Sequence, residues 1–189
     1  MMLALITLLV IISGFILGRY LYPAANTPIS ISIGILLGTG LYIISMYLLG
    51  LIGISWTQLS LTLLALIIFV ASLPLVRLIT KPTNAPNQTL GIVVVLLFTS
   101  FSMIVNSYWP VRDWDALTLY DFRAKVFSEN QEIAGIFTPE LNYYLAYPYF
   151  TSLVHTVSYV FEYARPAIYY SIVYATLGLF IYGFLSQKV

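Results

Sequence analysis

From Tyr20 to Val76 the chain carries no Asp, Glu, Lys, Arg or His, an unbroken run of 57 residues. A chain folding in water could not cover its surface from such a run. The whole sequence repeats the point: only 8% of its 189 residues are charged and 60% are hydrophobic, with a mean hydropathy of +0.93, whereas soluble domains carry about 25% charged residues. One membrane crossing takes about 20 apolar residues, so the run must hold more than one. The apolar stretches are continuous rather than alternating, which fits helices and not a transmembrane β-barrel. The expected class is an all-α integral membrane protein, in contact with membrane lipids. A net charge of +1 gives no reason to expect nucleic acid as a partner, and the absence of cysteine removes any reading of redox compartment.

Breaks in the apolar pattern set the expected spans. Met2 to Gly18 is uncharged and ends at Arg19; without a basic leading segment or a cleavage site it reads as a retained first span, about 2–21. Pro23 to Pro28 reads as a turn, because proline ends helices and restricts the residue before it. Gly53, Ser55, Trp56 and Gln58 mark a second break, with Trp56 suited to the membrane interface. Spans two and three are then about 29–52 and 57–77. A hydrophilic linker follows, with Arg77, Lys81, Pro82, Asn84, Pro86 and Asn87. Span four is about 89–108, span five about 148–163 and span six about 167–185, with a turn at 162–166. Residues 1–88 thus form three N-terminal spans with their linker, and residues 89–189 a module of three further spans.

Charge concentrates in one place. Nine of the fifteen charged residues lie between Arg112 and Glu140, among them six of the seven acids. Residues 109–147 are expected to be one polar loop between spans four and five. Within it, 115–129 reads as an amphipathic helix lying flat on the membrane. Asp115, Thr118, Asp121, Lys125 and Glu129 fall on one face; Ala116, Leu119, Tyr120, Val126 and Phe127 fall on the other. Arg123 sits on the apolar side, either snorkelling toward headgroups or aimed at a lipid phosphate. Asp113 and Asp115 are candidates for the helix cap and for a carboxylate whose basicity rises at the membrane boundary. Asp121 and Lys125 form an i, i+4 pair, worth a few tenths of a kcal/mol if exposed. Tyr143, Tyr144, Tyr147 and Tyr149 flank Pro148 as an aromatic belt or a sugar-stacking platform. Thr151, His155, Ser158 and Glu162 fall on one face of span five, a stripe of the kind that bonds helix to helix. His155 is the single histidine, and no second metal ligand stands at useful spacing.

Arg19, Arg77, Lys81 and Arg165 lie in alternate connections of a six-span chain. The positive-inside rule places all four in the cytoplasm. The N-terminus, the Trp56 turn and the charged loop 110–147 are then extracytoplasmic, and the Asn87-Gln88-Thr89 sequon faces the cytoplasm, unglycosylated.

The string Trp114-Asp115-Ala116, followed by Tyr120-Asp121-Phe122-Arg123-Ala124-Lys125 and by Tyr147-Pro148, resembles the first external loop of the GT-C superfamily of membrane glycosyltransferases. The likeness covers about residues 90–185. It implies a polyprenyl-phosphate-linked sugar as donor and an acceptor on the outer face. It implies Asp115 as the general base with Asp113 beside it, and Arg123 or Lys125 near the donor phosphate. Arg112, Tyr147 and His155 are further candidates for substrate contact; whether a divalent metal takes part stays open. Members of that superfamily have more than six spans, so the chain is expected to be an N-terminal portion or a truncated member, completed by a further membrane segment or subunit. The competing reading is a non-catalytic membrane scaffold or lipid-binding subunit. A transporter is disfavoured, because the spans hold almost no ionisable residues.

Overall fold

The computed structural model describes residues 2–79, 89–108, 120–133, 149–163 and 165–186. Among them every regular element is helical: α1 (Met2–Leu21), α2 (Thr27–Leu51), α3 (Gln58–Ser72, continued by a 3-10 turn at Leu73–Leu78), α4 (Thr89–Tyr108), α5 (Phe122–Asn130), α6 (Phe150–Val160) and α7 (Ile168–Ser186). The chain is an all-α membrane protein. Five helical stretches are long and apolar enough to cross a bilayer: α1, α2, α3 with its 3-10 extension, α4 and α7.

The α1–α2 hairpin is built on glycine. A Cβ on Gly14 would stand 1.9 Å from the Gly34 carbonyl oxygen, and one on Gly38 would stand 2.2 Å from that of Val10. Small residues let membrane helices bring their backbones together, which matters where lipid gives no hydrophobic drive for helix to meet helix. The turn between these helices is capped by Asn26. Its side chain accepts from the Ile29 N–H at 3.1 Å and donates to the Gly183 carbonyl at 2.7 Å. One residue therefore starts α2 and fixes the C-terminal end of α7. Arg19, also buried, donates from Nη1 to the Ala25 carbonyl at 2.6 Å.

These bonds set the direction of every crossing. Ser32 donates to the Thr176 carbonyl at 2.5 Å, and Asn106 donates to the Ser171 hydroxyl at 2.8 Å. Thus α7 starts beside the C-terminal end of α4 and finishes at the Asn26 end. The opposite end holds the start of α1, the α2–α3 turn, the end of α4 and the start of α7. Arg165 is there too, since it lines one cavity with Leu3 and Ile6 and another with Tyr108.

The fifth of the six expected spans is not a crossing. The helix at its place, α6, has 11 residues, about 16 Å at 1.5 Å per residue, against about 30 Å of hydrocarbon. Both its ends lie at the same end of the bundle. Tyr149, just before it, stacks on Tyr47 near the end of α2, and the Val160 carbonyl accepts from Gln58 at 3.0 Å. Among the described residues five helices are long enough to cross, and Arg165 lies at the end opposite Arg19 and Arg77. Of the basic residues in the expected connections, the described Arg165 does not share an end of the bundle with Arg19 and Arg77, because both ends of α6 lie at one end.

Trp56 lies in the turn between α2 and α3, at the end of the bundle, and is fully buried. Its indole N–H donates to the Met46 carbonyl at 3.0 Å, folding the turn back onto α2. The turn itself runs through Gly53 at φ +79°, a left-handed conformation that glycine takes at no steric cost.

Candidate functional site

Helix α5 is docked on α6 and on the Trp56 turn, at the end of the bundle that carries the charged loop. It begins at Phe122, after a short π-turn at 120–121, and ends at Asn130. The expected earlier start, with Asp113 or Asp115 as cap, falls on residues outside those described, as do Arg112 and Tyr147. The end is set by Gln131, whose left-handed backbone (φ 55°) stops the helix. That bend aims the Gln131 carbonyl at the Trp56 N–H, 2.6 Å away. Phe127 meets the Trp56 ring edge to face at 5.8 Å. Burying a side chain of that size contributes roughly 1.5–3 kcal/mol, so the helix is held by its apolar face, as its pattern implies.

The polar side of α5 is where the structure departs from the amphipathic reading. Asp121 does not point to water: it is 2% exposed. It accepts from the Tyr159 hydroxyl at 2.5 Å, pairs with Lys125 Nζ at 3.1 Å and lies 3.3 Å from His155 Nδ1. Burial pushes this carboxyl up, but the contacts with His155, Tyr159 and Lys125, with the charge of Lys125, outweigh burial and hold it at about 2. Asp121 is thus a fixed anion, too weak a base to take a proton from a substrate at neutral pH. Its role is to tie α5 to α6.

Arg123 lies on the apolar side of α5, as its spacing predicts, and is 1% exposed. It does not snorkel. Its guanidinium carbon sits 4.9 Å from the centre of the Tyr149 ring, a cation–π contact that strengthens when desolvated. Tyr149 is the one tyrosine of the expected aromatic belt within the described residues, and it packs into the α2–α5–α6 junction rather than facing lipid. Ala124 is fully buried between the two basic residues, and its carbonyl accepts from Thr156 at 3.3 Å. A larger side chain at 124 would lift α5 off α6. Lys125 alone stays within reach of solvent, its side chain 51% exposed, with Nζ 5.5 Å from the centre of the Tyr159 ring.

His155 is fully buried. Its ring meets the Tyr170 ring nearly perpendicular at 5.8 Å, and Nε2 has no hydrogen-bond partner among the described residues. The polar stripe of α6 that faces α5 is Ser152, His155 and Thr156, all buried, with the half-buried Tyr159, spaced i, i+3, i+4, i+7. It overlaps the expected stripe only at His155. Ser158 is buried on another side of the helix, and Glu162 lies past its end. No group of three or more His, Cys, Asp or Glu gathers at metal-binding distance among the described residues.

The fold and this cluster define a class: a helical membrane protein with a largely buried ionisable cluster at one end of the bundle. Comparison with protein families, curated proteins and solved structures finds no match for the chain.

Proposed function

We propose that this chain is a membrane glycosyltransferase of the GT-C type, or the N-terminal part of one, moving a sugar from a polyprenyl-phosphate donor to an acceptor at the extracytoplasmic face. The observation that carries this reading is the gathering of Asp121, Arg123, Lys125, His155 and Tyr159 at one end of a bundle otherwise almost bare of charge. Ionisable groups buried in a membrane protein are expensive, and they mark functional sites by default. This cluster directly follows the Trp114-Asp115-Ala116 string that the resemblance ties to the general base.

In this reading the residues divide the work. Asp115, with Asp113 beside it, remains the base. Lys125, paired with Asp121 but with its side chain half-exposed, is the cation within reach of a donor phosphate. Arg123 and His155 act as positioning residues, because both are sealed inside and hold α5 through Tyr149 and Asp121. Arg19 and Arg77 lie at one end of the described bundle and Arg165 at the other, and with Lys81 close to Arg77 in sequence the positive-inside rule supports an extracytoplasmic loop.

The test is transfer of labelled sugar from a polyprenyl-phosphate donor in membranes expressing the full-length protein. Asp115→Asn is expected to lower turnover by about 10²–10⁴-fold, the usual contribution of general base catalysis, with insertion and folding intact. Retained activity in both Asp115→Asn and Asp113→Asn would remove the loop carboxylates from the mechanism. The saturated state of Asp121 favours one second reading, a scaffold whose loop cluster is only a lock. That reading expects no transfer in any assay and no effect of Asp115→Asn.

A further inference from the structure

Two cavities meet at the connection between α6 and α7. One is a partly open apolar slot of about 140 Å³ among α1, α2, α6 and α7. On α1 its lining runs from Leu3 to Ile11, about 12 Å of helix. Of all its lining residues Arg165 is the one that carries charge. The other cavity is an open cleft of about 430 Å³ walled by Ser107, Tyr108, Tyr163 and Arg165. Tyr163 and Arg165 belong to both. Arg165 is exposed, and no carboxylate among the described residues pairs with it.

An apolar slot opening onto a polar cleft, with one guanidinium at the junction, matches an amphiphile carrying a single anionic group at the root of its chain. The slot's size admits a segment of one chain and not two, since an apolar cavity of about 150 Å³ holds a benzene-sized group. We propose that this is a binding site for one anionic phospholipid, with part of one acyl chain in the slot and its phosphate on Arg165. A free phosphate would leave the slot unfilled, so the occupant is a bilayer lipid. The chain itself supplies little affinity, because it leaves one apolar surrounding for another. Preference for this lipid therefore rests on Arg165, which can meet a phosphate through two parallel N–H bonds. The site lies on the other side of α6 from the Asp121 cluster: Val154, Val157 and Ser158 line it, while His155 and Tyr159 face Asp121. The proposal does not depend on the transferase reading.

The experiment uses the full-length protein in phosphatidylcholine vesicles with a trace of phosphatidylglycerol or phosphatidylcholine, each bearing the same photoreactive group in its chain. Crosslinks are mapped by mass spectrometry. The phosphatidylglycerol probe is expected to mark slot residues such as Ile11, Ile35 and Ile172 about tenfold more than the neutral probe, the scale of one charge-assisted hydrogen bond. Arg165→Gln should erase that preference, and Arg165→Lys, which keeps the charge but loses the paired N–H bonds, should retain only part of it. Excess inorganic phosphate should not compete. Thr39→Trp, which fills the slot from α2 and leaves Arg165 in place, should abolish the slot crosslinks. Equal marking by the two probes, a preference that survives Arg165→Gln, competition by phosphate, or slot crosslinks that persist in Thr39→Trp would each overturn the proposal.

Discussion

At Asp121 burial and hydrogen bonding pull in opposite directions, and hydrogen bonding wins. The carboxyl falls from its ordinary value of 3.8 to about 2. A depressed carboxylate contributes stability that is fully present above its unfolded value and is lost as pH falls through the folded one. The docking of α5 should therefore weaken between about pH 4 and pH 2, and Asp121→Asn should flatten that acid limb. Thermal unfolding of the detergent-solubilised protein across this range checks it; an unchanged acid limb would mean that Asp121 is not the anion that locks the helix. Asp121→Ala should cost about 1–3 kcal/mol at neutral pH, because it strands the buried donors of Tyr159 and His155. In the sequence Asp121 reads as half of an exposed i, i+4 pair. The pairing with Lys125 is there, but its burial is not legible, because the groups that enclose it come from α6, more than thirty residues away. Arg123 was legible from its position on the apolar face, while its partner Tyr149 was hidden among four tyrosines that looked alike.

At the scale of the element, close backbone approach decides the α1–α2 hairpin. Gly38→Ala would place a methyl carbon against the Val10 carbonyl, so the helices must part. The expected cost is about 1–3 kcal/mol, typical of overpacking. Gly40 sits on the same helix with nothing within 4 Å of a Cβ, so Gly40→Ala should stay within about 0.5 kcal/mol of the parent. Unfolding by sodium dodecyl sulfate titration compares the two, and an equal response would remove close packing as the explanation. The long helices were legible to within a few residues, because length and hydropathy mark a span with little help from tertiary structure: α1 and α4 start and stop at 2–21 and 89–108, as their sequence implies. Helix α6 was not. Its apolar residues resemble those of a span. The sign against it was the density of polar groups, with Ser152, His155, Thr156, Ser158 and Tyr159 inside 11 residues, more than a lone lipid-facing helix carries. That sign says the helix needs a polar partner. It does not say that the partner is the loop preceding it, which brings both ends of the helix to one end of the bundle.

At the scale of the whole molecule, the described residues form a bundle with five helices long enough to cross a bilayer, in which α5, the Trp56 turn and Arg165 share one end. The Asn26 end of the bundle is sewn by Asn26 and by Arg19, whose guanidinium donates to the Ala25 carbonyl, whereas the other end gathers Asp121, Lys125 and His155 around α6. This arrangement puts the Asp121 cluster and the apolar slot on the two sides of one short helix. A six-crossing chain would put Arg165 with the α3–α4 connection instead, and α6 would then separate the two regions that the structure joins. The chain has no native cysteine, so single cysteines at Glu132, Arg165 and Thr83, the last in the α3–α4 connection, report sidedness without background. The decisive measurement is labelling of these three variants in intact cells with a membrane-impermeant thiol reagent, before and after permeabilisation. The account predicts that positions 132 and 165 label alike and that position 83 labels oppositely; labelling of 165 together with 83 and against 132 would contradict it.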